Sequence, residues 1–288
     1  MARTGVSETF ASHLYRHCQQ TGVFARIALQ TTSVAHLGGS RFERLPLAWP
    51  KTKAEQEAIA EALNDADALI ESLEQLVAKK RRIKQGAMQE LLTGKRRLPG
   101  FSGEWEVKRL GELGSFLKGS GVKKDQASSG TLACIRYGEI YTHHHDLIRE
   151  FRSWISRDVA MHATRLKQGD VLFAGSGETK EEIGKCVAFL ADDEAYAGGD
   201  IVILRTTGSN AQFLGYYLNT AHINRQKASL GQGDAVVHIS SRALSGITGV
   251  FPSFDEQQAI ATVLGDMDAE LTAAEAKLTK ARDRKSVV

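Results

Sequence analysis

Two stretches of the chain are copies of one another, and a duplicated long amphipathic segment permits few folds. Residues 55–84 (EQEAIAEALNDADALIESLEQLVAKKRRIK) align without gaps on 256–285 (EQQAIATVLGDMDAELTAAEAKLTKARDRK). Thirteen of the thirty positions are identical at a constant offset of 201. The likeness reaches upstream, where Val34-Ala35-His36-Leu37 resembles Val237-His238-Ile239. Pro50 and Pro252 each stand fourteen residues beyond the histidine. The chain therefore reads as the end of one module followed by a whole one.

Apolar or small residues in both copies alternate at spacings of four and three. They are Ile59, Leu63, Ala66, Ile70, Leu73 and Val77, then Ile260, Leu264, Met267, Leu271, Ala274 and Leu278. This is the narrow seam of a coiled coil rather than the wide stripe of a helix lying on a globular core. No proline interrupts 51–98, and Thr93-Gly94 supplies a stop. A helix over 54–92 would be about 58 Å long. Matching seams predict an intramolecular antiparallel pair, with pairing to another chain as the alternative.

The 288 residues leave room for one large or two ordinary domains. No apolar run reaches the roughly 18 residues of a membrane span, and the first 30 residues lack a secretory h-region. Cys18, Cys134 and Cys186 are odd in number and scattered, which suits free thiols in a reducing, cytoplasmic setting. Residues 79–97 hold eight Lys/Arg against one Glu, whereas the whole chain is only +3. A polyanion is a natural partner for such a segment, and a solvated helix end is the plainer alternative.

Between the copies the texture changes to short apolar stretches bounded by Gly and polar residues: 131–137, 170–174, 185–190 and 200–204. These read as strands. A helical pattern follows at 211–228, and 8–20 resembles the same late helix in the preceding module.

At this point the pattern resembles the specificity subunit of type I restriction–modification systems. Pro50 to Gln56 with Ala58-Ile59-Ala60, and Pro252 with Glu256-Gln257-Gln258-Ala259-Ile260-Ala261, match that family's helix start. Ile83-Lys84-Gln85-Gly86 and Leu91-Leu92-Thr93-Gly94 match the end of its central helix. Residues 105–113 resemble the opening of a recognition domain; 135–140 and 166–172 resemble its strands. The resemblance implies an α+β protein, a mixed α/β target-recognition domain plus two long helices forming an antiparallel coiled coil. It also implies a non-catalytic subunit without cofactor that aims methyltransferase (M) and, through the complex, restriction (R) subunits at double-stranded DNA. The expected division is a C-terminal remnant of a first recognition domain (1–50), a central helix (51–98), a complete recognition domain (99–252) and a shortened distal helix (253–288). Against the family pattern the chain is clipped at both ends, as in a truncated gene or in a one-domain form working as a homodimer.

Residues 101–252 carry 17 Lys/Arg against 17 Asp/Glu, so a DNA face must be local. Lys118, Lys123 and Lys124 suit phosphate contacts, on a loop that Gly119 and Gly121 should make pliable. Base readers need paired donors and acceptors. Arg136 and Tyr137 after a strand, Lys180 in a Gly-Glu-Thr loop, and Gln226, Lys227 and Gln232 after the late helix are the candidates, each with a solvated surface role as its alternative. His36 and His238 suit packing or capping. His143, His144 and His145 suit a polar loop, since consecutive side chains do not converge on a metal.

One rival is an S-adenosylmethionine-dependent DNA methyltransferase fragment, suggested by Phe173-Ala-Gly175-Ser-Gly177 after a strand. No Pro-Pro or Pro-Cys pair is present to serve a flipped base. A helical scaffold without DNA reading is the second rival.

Overall fold

A computed structural model describes residues 5–30 and 35–287; Val34 of the upstream match lies outside them. The chain divides into two compact units, Met1–Arg81 with Glu270–Val288, and Arg82–Ala269.

The first unit opens with α1 (Glu8–Gln20), capped by the Ser7 hydroxyl, which accepts from Phe10 N. Then come α2 (Val23–Ile27), the antiparallel pair β1 (Leu29–Gln30) and β2 (Ala35–His36), α3 (Gly39–Glu43) and the long α4 (Lys53–Leu91). The Gln56 side chain clasps this unit: Oε1 accepts from Ser7 N at 2.9 Å and Nε2 donates to Pro50 O at 2.9 Å. Against α4 lies the end of the last helix (Phe254–Val287). Val77, Ala274 and Leu278 are buried together, with Ile70, Leu73 and Leu271 packed on them. Ion pairs join Asp67 to Lys285, Glu74 to Arg282 and Arg81 to Glu275. Numbers rise on one helix as they fall on the other, so the two stretches run antiparallel.

The second unit contains β3 (Glu106–Arg109), β4 (Gly114–Lys118), β5 (Leu132–Ile135), α5 (Tyr137–Thr142), β6 (Asp146–Leu147), β7 (Ser153–Ile155), α6 (Arg157–Ala160) and β8 (Thr164–Arg165). It continues with β9 (Asp170–Ala174), β10 (Ser176–Gly177), β11 (Cys186–Ala188), β12 (Ala195–Ala197) and β13 (Ile201–Thr206). The helices α7 (Ala211–Tyr217) and α8 (Ala221–Leu230), β14 (Val237–His238), α9 (Ser241–Ser245), β15 (Thr248–Phe251) and the start of α10 (Phe254–Val287) complete it. A five-stranded sheet in the order β4-β13-β9-β11-β6 faces a four-stranded sheet β7-β5-β12-β8.

Alternation across the pleat explains the apolar runs. Leu172, Ala174, Ile201 and Ile203 face Ala133, Ile135, Ala195 and Ala197 in a core between the sheets. Val171, Phe173, Val202 and Leu204 point the other way, into a second core with Phe213, Leu214 and Tyr216 of α7. A strand covered on both faces has no side that needs polar residues, so its sequence reads as continuous hydrophobics.

Several expectations are corrected here. Ile260 and Leu264 are buried in the core of the second unit, in one cluster with Leu91 and Leu92 at the end of the other long helix and with Phe213 and Leu214 of α7, and Met267 and Met88 pack against it. Ala261 is buried beside them, and that widens the apolar stripe. Of the first copy, Ile59 is half-buried, while Leu63 and Ala66 line an open groove with Lys277 and Ala281. The helix expected over 211–228 is broken at 218–220, where Asn219 turns its side chain inward to bond Cys186, Gly215 and Asp146. The expected strand over 131–137 stops at Ile135, because Glu139 Oε2 accepts from Arg136 N and starts α5.

Candidate nucleic-acid interface

Sheet topology brings most of the candidate residues to one edge of the second unit. β13 is antiparallel to β4 and β9, pairing Val202 with Lys118 and Ile201 with Ala174. β12 is parallel to β5, pairing Ala197 with Ile135, and leads through Gly198–Asp200 into β13. The ends of β4, β5, β9 and β12 therefore meet beside the start of β13. Lys118 closes β4, and Lys123 and Lys124 follow it. Arg136 and Tyr137 follow β5, and Lys180 follows β9 and β10. Gln232 begins a hairpin whose return strand, β14, pairs with β10. All of these except Arg136 are exposed. Arg136 is half-buried, its Nε donating to Glu139 Oε1 and Ser153 Oγ.

The loop after β4 is held rather than pliable. Gly119 N donates to Ile201 O at 2.8 Å, and a Cβ at Gly119 would sit 2.1 Å from Gly198 O. Gly121 takes φ +81 against His162 O, a conformation that disfavours any side chain. Ser120 Oγ donates to His162 O at 2.8 Å. Lys123 and Lys124 thus stand on a fixed support.

Two candidates do not join this edge. Lys227 is fully buried, its Nζ donating to Gly184 O at 2.8 Å and Leu218 O at 2.9 Å. Burial pushes its pKa down from the usual lysine value, Cys186 opposing. Gln226 clasps Thr248, donating to its carbonyl at 2.8 Å and accepting from its N–H at 3.1 Å. The sequence carried a signal for Lys227: it lies four residues after Ile223, on the buried face of α8.

Other residues arrive unforeseen. A cleft of about 300 Å3 is lined by Lys118, Gln232, Asp200, His238, Ser240 and Ser241, among others. His238 Nδ1 lies 2.8 Å from Ser176 Oγ, and Ser176 is buried. The packing role expected of His238 covers only that half of the ring. The glycines that suggested a methyl-donor site serve chain packing instead. Gly175 N donates to Asp200 O at 2.7 Å, and Gly177 has room only for the Tyr141 hydroxyl at its Cα.

Half of the eight cations in the basic segment 79–97 pair with carboxylates of the last helix, Arg81 at the surface. Lys80 pairs with Glu270 and Arg81 with Glu275; Lys84 pairs with Asp268 and Arg97 with Glu256. Among the histidines, His144 lies in the loop between α5 and β6 as expected but is buried there, and burial lowers its pKa. Among the described residues no three His, Cys, Asp or Glu side chains gather as metal ligands, and no helix is long and apolar enough to cross a membrane.

Known proteins share this arrangement. The type I restriction enzyme MjaVIII specificity subunit of Methanocaldococcus jannaschii is 24% identical over 268 residues, an alignment covering 85% of this chain and 60% of that protein. The chain thus spans about 60% of the length of the curated relative it matches. The S subunit of a type I restriction–modification system from M. genitalium superposes with a TM-score of 0.66 at 16% identity, over 97% of this chain and 70% of that one. A chain from a structure describing complex assembly and conformational transition of the type I R-M system gives 0.55 at 18% identity, over 99% and 70%. These likenesses establish the fold. The family model for the type I restriction modification DNA specificity domain matches residues 102–281, and the chain belongs to that family.

Proposed function

We propose that the chain is a DNA sequence-recognition subunit of a type I restriction–modification complex, itself without catalytic activity. The observation that supports this reading is that Lys118, with Lys123 and Lys124 after it, and Tyr137 follow strand ends beside the start of β13, while Gln232 shares a cleft with Lys118. Lysines there supply the salt-dependent grip on phosphates, and the loops between them offer side chains to base edges. In this reading 99–252 is the target-recognition domain, and 1–50 is the counterpart of the end of a first one. The correspondence of the Gln56 clasp with Gln257, which accepts from Asn210 N and donates to Pro252 O, supports that equivalence. The outward faces of the helices dock methyltransferase subunits and, through them, the restriction subunit, in the cytoplasm. A second half-site would come from a preceding module or from a second copy in a homodimer.

The test is binding to random-sequence duplexes across a salt series, with and without methyltransferase subunits. Weak, strongly salt-dependent binding by the chain, sharpening to one sequence in the assembly, is expected. Absent binding in the assembly would favour the scaffold, and methyl transfer by the chain alone would favour the enzyme.

A further inference from the structure

We infer that the hairpin Gln232–His238 reads bases, with Gln232 and His238 as specificity-determining residues and Ser176 as the positioning residue. The inference rests on the DNA-recognition reading above and deepens it.

The hairpin is closed by a single antiparallel bridge between Gln232 and His238. Gln232 N donates to His238 O at 2.9 Å, and His238 N donates to Gln232 O at 2.7 Å. Residues directly opposite in an antiparallel pair project from the same face. Gln232 and His238 therefore stand side by side at the base of the hairpin, and both line the cleft that Lys118 also lines. Gly233, at φ +108, turns the chain, and Asp234, Ala235 and Val236 at the tip are exposed.

The chemistry of the pair suits base edges. Glutamine offers one donor and one acceptor, the complement of adenine N7 and N6. Gln232 has no side-chain hydrogen bond among those described, so both groups are available. Histidine is set by its second nitrogen. Ser176 Oγ stands 2.8 Å from Nδ1 and so fixes the ring's orientation; in the tautomer where the hydroxyl donates, Nε2 carries the ring hydrogen and would offer it to guanine O6 or N7. Ser176 is itself fixed, being buried on β10 with its backbone paired to His238. A residue used only for packing needs no orienting hydroxyl behind an exposed ring.

The full chain, wild type and variants, is presented with a random-sequence duplex library, and the bound fraction is sequenced at several salt concentrations. Gln232→Ala removes an exposed side chain and leaves the fold intact, so it guards against misfolding of His238→Ala. Each variant is expected to lose roughly tenfold in discrimination at one or two positions, with affinity for unselected duplex and the salt slope unchanged. Ser176→Ala should flatten the same position as His238→Ala, but less completely. A wild-type base profile in Gln232→Ala and His238→Ala would overturn the inference. So would uniformly weaker binding with a shallower salt slope, which marks a phosphate contact. A wild-type chain that selects a sequence by residues elsewhere sinks only the hairpin, whereas one that binds no DNA removes the reading beneath it as well.

Discussion

Lys84 Nζ lies 2.6 Å from Asp268 Oδ1, and the corresponding residues of the other copy, Lys285 and Asp67, form the same ion pair. Arg81–Glu275 and Arg282–Glu74 repeat the reciprocity at 2.6 and 2.7 Å. Four of the charged identities in the duplicated segment are thus partners of one another across antiparallel helices. Asp268 is the more heavily used copy: it is buried, and it also accepts from Arg149 at 2.7 Å and Tyr216 Oη at 2.6 Å.

Asp268→Ala leaves a lysine and a tyrosine hydroxyl without their acceptor in a buried site. A loss of about 3 kcal/mol or more is expected from the denaturation midpoint. Asp67→Ala, at a half-exposed pair, should cost less than about 1 kcal/mol. Equal costs would contradict the difference in burial.

Gln257 and Gln56 are buried and each bridges a helix N-terminus to a proline carbonyl. Replacing either by alanine strands a backbone N–H and a carbonyl, so each should cost about 1–3 kcal/mol. Hydrogen exchange at Asn210 N in Gln257→Ala, and at Ser7 N in Gln56→Ala, reads the two losses separately.

Lys227 gives a pH signature. Its pKa is lowered by burial, so between the folded and unfolded values the unfolded chain holds more protons. Its contribution to stability is complete above the ordinary lysine value and declines as pH falls toward the folded one. The wild type should therefore gain stability relative to Lys227→Met as pH rises from the lowered folded value toward the ordinary lysine value. A pH-independent difference would mean that the ammonium is not desolvated. Neither this variant nor Gln226→Ala should alter base preference.

The Cys134 and Cys186 thiols are fully buried, and burial pushes both up to about 12. Little thiolate exists near neutrality, so alkylation of the native chain at these positions should be slow and should track global unfolding. Rapid labelling of Cys186 in native buffer would show that the sheet core opens locally.

Lys123→Ala with Lys124→Ala tests the fixed loop. Each lysine that neutralises a phosphate contributes about one unit to the salt slope, so the double variant should bind with a slope shallower by about two. An unchanged slope would place the DNA elsewhere.

Much of this was legible in the sequence because periodicity and duplication survive without knowledge of packing. The strand Asp170–Ala174 and the helix Glu8–Gln20 stand where their patterns put them. The failures share a physical cause. Ile260 and Leu264 satisfy a coiled-coil spacing, but the periodicity does not disclose that they also pack on Phe213 and Leu214 of the globular core. Lys227 looked solvent-facing because lysine usually is, whereas two backbone carbonyls hold it inside. The Ser176–His238 bond joins residues 62 apart in sequence, and no local pattern announces it.

The reciprocal ion pairs have a consequence for inheritance. Because Asp67, Glu74, Arg81 and Lys84 have identical counterparts at 268, 275, 282 and 285, each copy carries both halves of every lock. A genetic crossover inside the duplicated stretch would rebuild the same charge register whichever reader it attached. Old and new readers would then share one joint, and a lineage could change its DNA address without redesigning the helices that carry it.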